Sequence, residues 1–154
     1  MKKLFLFLLF ILLVSCQKEG SGHSDIPSSY YQLSHDELTL VKWKDQSLSY
    51  IDMQADSKLR EINTIADEAF KGCKNLKGIT LSDNLKEIGA EAFAQTDLSE
   101  GLHFYSYSNV VFGEKTFYQS NLREVILPNT KALSNRILPI ANNLKRLLSP
   151  RRNL

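Results

Sequence analysis

Apolar and polar residues follow the same order three times along the middle of the chain. The segment IADEAFKGC returns as IGAEAFAQT and, with more changes, as FGEKTFYQS. Its phenylalanines, Phe70, Phe93 and Phe117, are 23 and 24 residues apart. A fixed period of this size is typical of a solenoid, in which a repeat cannot bury its apolar face alone and must stack on its neighbours. The pattern therefore predicts stacked coils and a protein that binds rather than catalyses.

Each repeat also contains a strand-like stretch in which apolar residues alternate with polar ones. In the first repeat this stretch is 76–81, where the leucines and the isoleucine point inward and Thr80 points outward. Its counterparts are 98–104, with His103 outward, and 122–128, which ends at a proline. Proline closes a strand where no further backbone donor is needed. Each repeat is therefore expected to contain one such strand.

A second, shorter extended segment precedes the Ala-Phe pair of the repeat, as in LKEIG at 85–89. The Ala-Phe pair itself is expected to lie in a tight helical turn that buries the aromatic ring. The predicted fold class is mainly β with short helical turns, and the solenoid is assigned to residues 59–154.

Residues 30–58 are expected to cap the first coil. The runs LTLVKW at 38–43 and LSYIDM at 48–53 have β-type composition and are separated by four polar residues, so they predict a hairpin or a first, atypical coil. A solenoid needs such a unit over the open end of its core, and Trp43 suits that position. The alternative for Trp43 is a carbohydrate-stacking platform.

The last part of the chain predicts a degenerate fourth coil. The alternative is an amphipathic helix, because several apolar residues there are also spaced by three and four, but Pro139 counts against a continuous helix. Six apolar residues repeat the spacing of the first repeat, namely Leu133, Ile137, Leu138, Ala141, Leu144 and Leu147.

The first fifteen residues predict a lipoprotein signal peptide. Lys2 and Lys3 precede an apolar run at 4–14, which is too short for a bilayer span of about 20 residues. The run ends in LVSC, which looks like a bacterial lipobox and predicts acylation of Cys16; an ordinary secretory signal is the alternative. The acyl chains would hold the domain at a membrane through a tether at 16–29, which is rich in glycine, serine and proline.

The charge gives no argument for a nucleic-acid partner. The chain has 19 Lys and Arg against 17 Asp and Glu, and removal of the signal peptide takes away two lysines, which leaves a net charge of about zero. Four cations lie in the last ten residues. They predict a solvated tail or, alternatively, contact with anionic lipid or polysaccharide.

Catalytic and cofactor-binding motifs are not found in the sequence. The three histidines lack metal-ligand spacing, and neither a nucleophile elbow nor a phosphate-binding glycine loop occurs. Cys73 occupies a repeat position that Thr96 and Ser120 fill later, which indicates a small buried residue rather than a nucleophile. We therefore expect no enzyme activity, no metal and no cofactor apart from the covalent lipid on Cys16.

The candidate binding surface combines an aromatic loop with outward strand positions. In the second repeat LSDNL gives way to FYSYSNV, which contains Tyr105 and Tyr107. Insertions in a solenoid map to one edge, often the binding edge, and a Tyr-Ser-Asn composition suits adaptable recognition. The alternative is that both tyrosines pack over neighbouring coils. The strand positions expected to face outward are Lys77, Thr80, His103, Arg123 and Ile126.

The IGxxAF segment at 88–93 and the LxxIxL strands together resemble the BspA-like leucine-rich repeat proteins, which are surface and secreted proteins common in Bacteroidota and spirochaetes. The resemblance covers 59–127 well and 133–150 weakly. Departures from the pattern are Phe112, Thr116 and the loss of the Ala-Phe pair in the last coil. The resemblance implies a leucine-rich repeat solenoid of about four coils with an N-terminal β-hairpin cap.

The resemblance also implies adhesion. The expected function is a membrane-anchored, surface-exposed lipoprotein that binds host, matrix or bacterial surface proteins or glycans. The alternative is a structural or accessory envelope lipoprotein without an external ligand. The residues QKE after Cys16 are similar to short charged signals that send Bacteroidota lipoproteins to the cell exterior. They predict an outer-membrane, cell-surface location rather than a periplasm-facing anchor.

Overall fold

The architecture is a stack of coils, and the coils add strands to two sheets. The structure, a computed structural model, describes residues 25–104, 110–126 and 146–148. These residues form ten strands: β1 (Tyr31–Leu33), β2 (Thr39–Trp43), β3 (Tyr50–Asp52), β4 (Thr64–Ile65), β5 (Gly78–Thr80), β6 (Glu87–Ile88), β7 (Gly101–His103), β8 (Val111–Phe112), β9 (Glu124–Ile126) and β10 (Arg146–Leu148).

Sheet A has the strand order β1-β2-β4-β6-β8, and sheet B has the order β3-β5-β7-β9-β10. All neighbours are parallel except β1 and β2, which are antiparallel. Helical structure in the described ranges is limited to two 3₁₀ helices, Ser28–Tyr30 and Leu59–Glu61. Within those ranges no helix is long and apolar enough to cross a membrane. The predicted fold class, a mainly β solenoid of stacked coils, is confirmed.

The hydrophobic core lies between the two sheets. Successive side chains of a strand point to opposite faces, so a strand of two or three residues places one side chain inside, and the parallel register aligns these residues from coil to coil. Apolar surface buried in this way contributes about 25 cal/mol per Å² to stability. The aligned inward residues are Ile51, Ile79 and Leu102 in sheet B and Leu40, Ile65, Ile88 and Phe112 in sheet A.

A column of stacked aromatic rings runs through the core. The rings follow the order Tyr31, Trp43, Phe70, Phe93 and Phe117, with centroid distances of 5.9, 5.6, 4.8 and 5.8 Å. The three phenylalanines are fully buried, and Trp43 is only 2% exposed between two other rings. The capping position predicted for Trp43 is confirmed. The alternative, a carbohydrate-stacking platform, is wrong because both faces of the indole are covered.

The Ala-Phe segments are overlapping turns, so the predicted helical turns are wrong. Two residues in each segment adopt left-handed backbone angles. In the first repeat they are Glu68, at φ 56°, and Gly72, at φ 78°. The backbone N–H groups of Glu68, Phe70 and Gly72 donate to carbonyls of the next coil over 2.9, 2.8 and 2.9 Å. A helix would direct these donors along its own axis. The turns therefore add a third ladder of hydrogen bonds between coils, beside the two sheets.

The glycine of the repeat marks the point where coil backbones approach most closely. A Cβ on Gly89 would lie 2.5 Å from the Asp67 N and 2.8 Å from the Ala66 carbonyl carbon, and a Cβ on Gly113 would lie 2.5 Å from the Gly89 carbonyl carbon. These distances are far below van der Waals contact. The Ile-Gly pair of the repeat therefore reflects a steric requirement of stacking.

The N-terminal hairpin is present, but its strands differ from the predicted ones. It pairs β1 with β2, so that Tyr31 lies opposite Trp43, with a bulge between Gln32 and Leu33. The predicted partner, β3, instead pairs with β5 in sheet B. The Asp45 carboxylate accepts hydrogen bonds from backbone groups of the connecting loop and supports a turn from one sheet into the other. The alternative prediction, a first atypical coil, is therefore correct for residues 38–53.

Part of the predicted tether belongs to the folded domain. The Asp25 carboxylate accepts hydrogen bonds from the Ser57 N at 2.9 Å and the Ser57 Oγ at 2.6 Å. The Ile26 N–H donates to the Asp56 carboxylate over 2.8 Å, and the Ile26 side chain packs on the core. Residues 25–29 are thus held by the domain, whereas Cys16 and the rest of the predicted tether lie outside the described residues.

The C-terminal strand has the position expected for a fourth repeat. β10 pairs in parallel with β9, and Leu147 lies in register with Val125, which continues the column of Ile79 and Leu102. The repeat alignment predicts this position for Leu147, so a strand at this point is confirmed. Residues 127–145, which hold most of the predicted coil and of the alternative helix, lie outside the described residues.

Removal of one ring from the aromatic column should destabilise the whole domain. We expect Phe93→Ala to lower the free energy of unfolding by about 3–5 kcal/mol, because it leaves a cavity between two stacked coils. Urea denaturation measures the loss, and Tyr118→Ala, which truncates a ring that is 42% exposed, is the control. A Phe93→Ala midpoint close to that of the wild type would contradict the stacked core.

Substitutions at two glycines distinguish the cost of a steric clash from the cost of a left-handed backbone conformation. Gly89→Ala should cost about 3 kcal/mol, since the new methyl group meets backbone atoms that cannot move independently. Gly72→Ala should cost about 1 kcal/mol, because its Cβ meets nothing within 4 Å and only the left-handed φ is unfavourable. Gln95 and Gln119 adopt the same conformation at the equivalent positions. Equal denaturation midpoints for the two variants would refute the close approach at Gly89.

Candidate binding surface

The outer face of sheet B carries most of the residues predicted to bind a ligand. Its charged positions lie just before the strands: Lys77, Glu100 and Arg123 are exposed and alternate in sign from coil to coil. The Glu100 N–H donates to the Lys77 carbonyl over 2.8 Å, so the backbones of these positions are tied together. Lys77 and Arg123, which are predicted to face outward, are thus exposed, and their role in binding stays a prediction.

Tyr50 is the most exposed aromatic side chain that the structure describes on this face. It is 45% exposed, and a Cβ added to Gly78 would lie 3.0 and 3.1 Å from the Cδ2 and Cε2 atoms of its ring. Its hydroxyl group forms a 2.5 Å hydrogen bond with the Thr80 Oγ1. The ring therefore lies against the backbone of the neighbouring strand, where the absence of a side chain at position 78 leaves room for it.

Thr80 does not offer an exposed contact, so its predicted exposure is wrong. Thr80 lies on the predicted strand, but its side chain is only 3% exposed. Tyr50 packs over it, and the two hydroxyl groups are hydrogen-bonded to each other. Tyr50 thus replaces Thr80 as the accessible group at this point of the face. The sequence indicates that Tyr50 points outward, because Tyr50 and Asp52 flank the inward Ile51 in β3 and so lie on the other face of the strand.

The remaining predicted residues differ in how far the structure describes them. His103 is half-buried, and its Nε2 lies 3.3 Å from the Glu100 carbonyl oxygen. The register places Ile126 beside His103, in the column that also contains Thr80. Tyr105 and Tyr107 lie outside the described residues, so their role as a binding loop stays a prediction.

The turn side of the coils carries a different kind of surface. Lys71 forms ion pairs with Glu68 at 2.6 Å and with Glu91 of the next coil at 2.8 Å. The hydrogen bonds to these two carboxylates raise the pKa of Lys71 to about 12, and the bond to Lys71 lowers the pKa of Glu68. The ion pair between Lys71 and Glu91 links adjacent coils on this side, whereas the charges of the strand face form no ion pairs among the described residues.

Cys73 lies in the core and is a poor nucleophile. It is 3% exposed, and its burial raises the pKa of the thiol despite a 3.4 Å hydrogen bond from the Gln46 Nε2. The prediction of a small buried residue is confirmed. Among the described residues no group of three or more His, Cys, Asp or Glu side chains could hold a metal ion.

Comparison with known proteins identifies the repeat. Six copies of the BspA type leucine-rich repeat region match residues 42–147. A solved structure, described as the crystal structure of a T. pallidum leucine-rich repeat protein, is similar to 82% of this chain with 17% sequence identity and a TM-score of 0.46. The match spans 64% of that chain. Comparison with curated proteins gives no match.

Leucine-rich repeat modules of this kind are generally protein-binding and typically non-enzymatic. Their extended repeat surfaces provide contact area rather than an enclosed cleft. Since the repeat match covers well over half of the residues, the chain belongs to the BspA-type leucine-rich repeat family.

Proposed function

We propose that the protein is a lipid-anchored, surface-exposed adhesion module that contacts other proteins through the outer face of sheet B. The observation that carries this proposal is the exposure of Tyr50 at 45% on that face. Tyrosine is enriched among the residues that dominate binding energy at protein interfaces. Its side chain has few rotatable bonds, and the hydrogen bond to Thr80 restricts it further, so that little entropy is lost on binding.

The charges around Tyr50 suit the rim of such an interface. Lys77, Glu100 and Arg123 are exposed and lie in one column beside the strands. Polar and charged side chains at a rim select the partner and speed the encounter more than they raise affinity. A face with an aromatic residue and charges of both signs therefore fits a protein partner with its own mixed charges.

The proposed lipid anchor sets the position of this face relative to a membrane. Because Asp25 and Ile26 are fastened to the domain, only nine peptide units separate the proposed acylation site, Cys16, from the fold. Nine extended residues span at most about 30 Å. The N-terminal hairpin would then lie nearest the membrane, with the later coils farther from it.

Loss of the proposed acylation site should release the protein from the membrane. We expect Cys16→Ala to move the chain to the soluble fraction or to leave its signal uncleaved, with no incorporation of a fatty-acid analogue. Cys73→Ala, which keeps Cys16, is the control and should remain labelled. A labelled Cys16→Ala variant would contradict acylation at this residue. Protease treatment of intact cells then separates surface from periplasmic display, because only surface protein is cleaved.

The proposed contact through Tyr50 can be tested against an equally exposed tyrosine elsewhere. We expect Tyr50→Ala to weaken binding to immobilised extracellular-matrix proteins by about tenfold or more, which is usual for an aromatic interface residue. Tyr118→Ala is the matched control, since Tyr118 is 42% exposed on the turn side. Surface plasmon resonance measures both affinities.

The predicted loop residues enter the same comparison as a third variant. If the double substitution Tyr105→Ser with Tyr107→Ser weakens binding while Tyr50→Ala does not, the aromatic loop and not the strand face is the contact. If the wild type captures none of the proteins tested, the result favours a structural or accessory envelope lipoprotein.

A further inference from the structure

A polar groove lies at the corner where the turn segments lead into sheet B. Its volume is about 490 Å³, and it spans three coils. A volume of this size is within the range of small-molecule sites, about 300–1,000 Å³. Tyr50 is not among its lining residues. Its lining residues are Lys74, Gln95, Thr96, Asp97, Gln119 and Asn121.

Hydrogen bonds between coils hold the groove side chains in place. The Gln95 Nε2 donates to the Gln119 Oε1 over 3.1 Å, and the Asn121 Nδ2 donates to the Asp97 Oδ1 over 3.2 Å. The Asn121 backbone N–H donates to the Thr96 carbonyl over 3.2 Å, which fixes the coils that carry both side chains. A ligand would thus meet polar groups that are already ordered, which reduces the entropic cost of binding.

The same side chains keep much of their hydrogen-bonding capacity. A carboxylate accepts about four hydrogen bonds, and Asp97 uses one of these positions for Asn121. Each amide has two N–H donors and a carbonyl oxygen, and the Gln95–Gln119 bond uses one donor and one acceptor position. Lys74 is exposed and adds ammonium donors. The groove therefore offers both donors and acceptors to a ligand.

The composition of the groove excludes several ligand classes. Among the described lining residues, one lysine and one aspartate give no excess positive charge, whereas anion sites use clustered arginines or lysines. The one carboxylate among these residues is too few for a cation that prefers several oxygen ligands. None of the described lining residues has a large apolar side chain, whereas protein interfaces are dominated by aromatic or aliphatic anchors in pockets. What remains is a neutral ligand with many groups that both donate and accept hydrogen bonds.

We propose that this groove is a binding site for a neutral saccharide, whose hydroxyl groups bond to Asp97, Asn121 and the two glutamines. A sugar hydroxyl donates to a carboxylate or amide oxygen and accepts from an amide N–H. It can therefore use the donor and acceptor positions that the hydrogen bonds between the groove side chains leave open. The site goes beyond the proposed protein contact, and it depends neither on the anchor nor on Tyr50.

The test is an NMR titration of the ¹⁵N-labelled full-length chain in detergent micelles with lactose and, separately, N,N′-diacetylchitobiose. We expect chemical-shift changes concentrated at the amides of residues 95–97 and 119–121, with a Kd below about 50 mM. The double variant Asp97→Ala with Asn121→Ala removes both partners of one bond, so neither is left unpaired. It should weaken binding about tenfold or more.

Matched controls separate this site from the strand face. Lys77→Ala with Arg123→Ala should bind both sugars as the wild type does, and the groove variant should keep its wild-type affinity for matrix proteins. The proposal is overturned if neither sugar shifts the groove amides, if the shifts cluster on sheet B, or if the groove variant binds within about twofold of the wild type. Each of these results leaves the adhesion hypothesis to its own measurement.

Discussion

Close stacking of successive coils is the constraint on which the rest of the structure depends. The rings of Phe70 and Phe93 lie 4.8 Å apart, and the backbone at Gly89 nearly touches the preceding coil. Hydrogen bonds cross the same interval in sheet A, in sheet B and along the turn segments. Because all three ladders and the ring column must share one spacing, the repeat length can vary only where the chain leaves the stack.

The same constraint assigns function to the outside of the coils. Inward side chains are fixed by packing, so variation without loss of stability is possible only on the outer faces. There the register aligns side chains from successive coils into columns, as with Lys77, Glu100 and Arg123 or with Gln95 and Gln119. A site in such a protein is therefore a property of neighbouring coils together, and no single repeat contains it.

The sequence predicts those features that depend on residues close to one another along the chain. The period, the inward residues and the strand position of Leu147 follow from alternation and spacing, and the structure confirms them. Left-handed angles at Glu68 and Glu91 could not be predicted, because glutamate carries no local preference for them. Hydrogen bonds to the adjacent coil stabilise these angles.

Contacts between distant residues account for the other differences. Thr80 is buried by a tyrosine thirty positions away, and β2 pairs with a short strand whose sequence, YQL, has too little pattern to be recognised. The groove at the corner of sheet B has a different origin. Its side-chain pairs, Gln95 with Gln119 and Asp97 with Asn121, occupy equivalent repeat positions 24 residues apart, so the repeat alignment already brings them together. The hydrogen bonds within each pair and the open space beside them depend on how three coils pack, which the alignment does not give.

The fastening of the N-terminal segment has a consequence for mechanical load. If the chain is held at a membrane while a partner pulls on the outer coils, the tension enters the fold at Asp25 and Ile26. A few hydrogen bonds to Ser57 and Asp56 carry it there, and one of these pairs is exposed to water. A force along the stack, in contrast, is distributed over the many hydrogen bonds of the three ladders between coils. The N-terminal segment would therefore detach first and lengthen the tether between the proposed anchor and the folded domain, while the coils that carry the binding face stay intact.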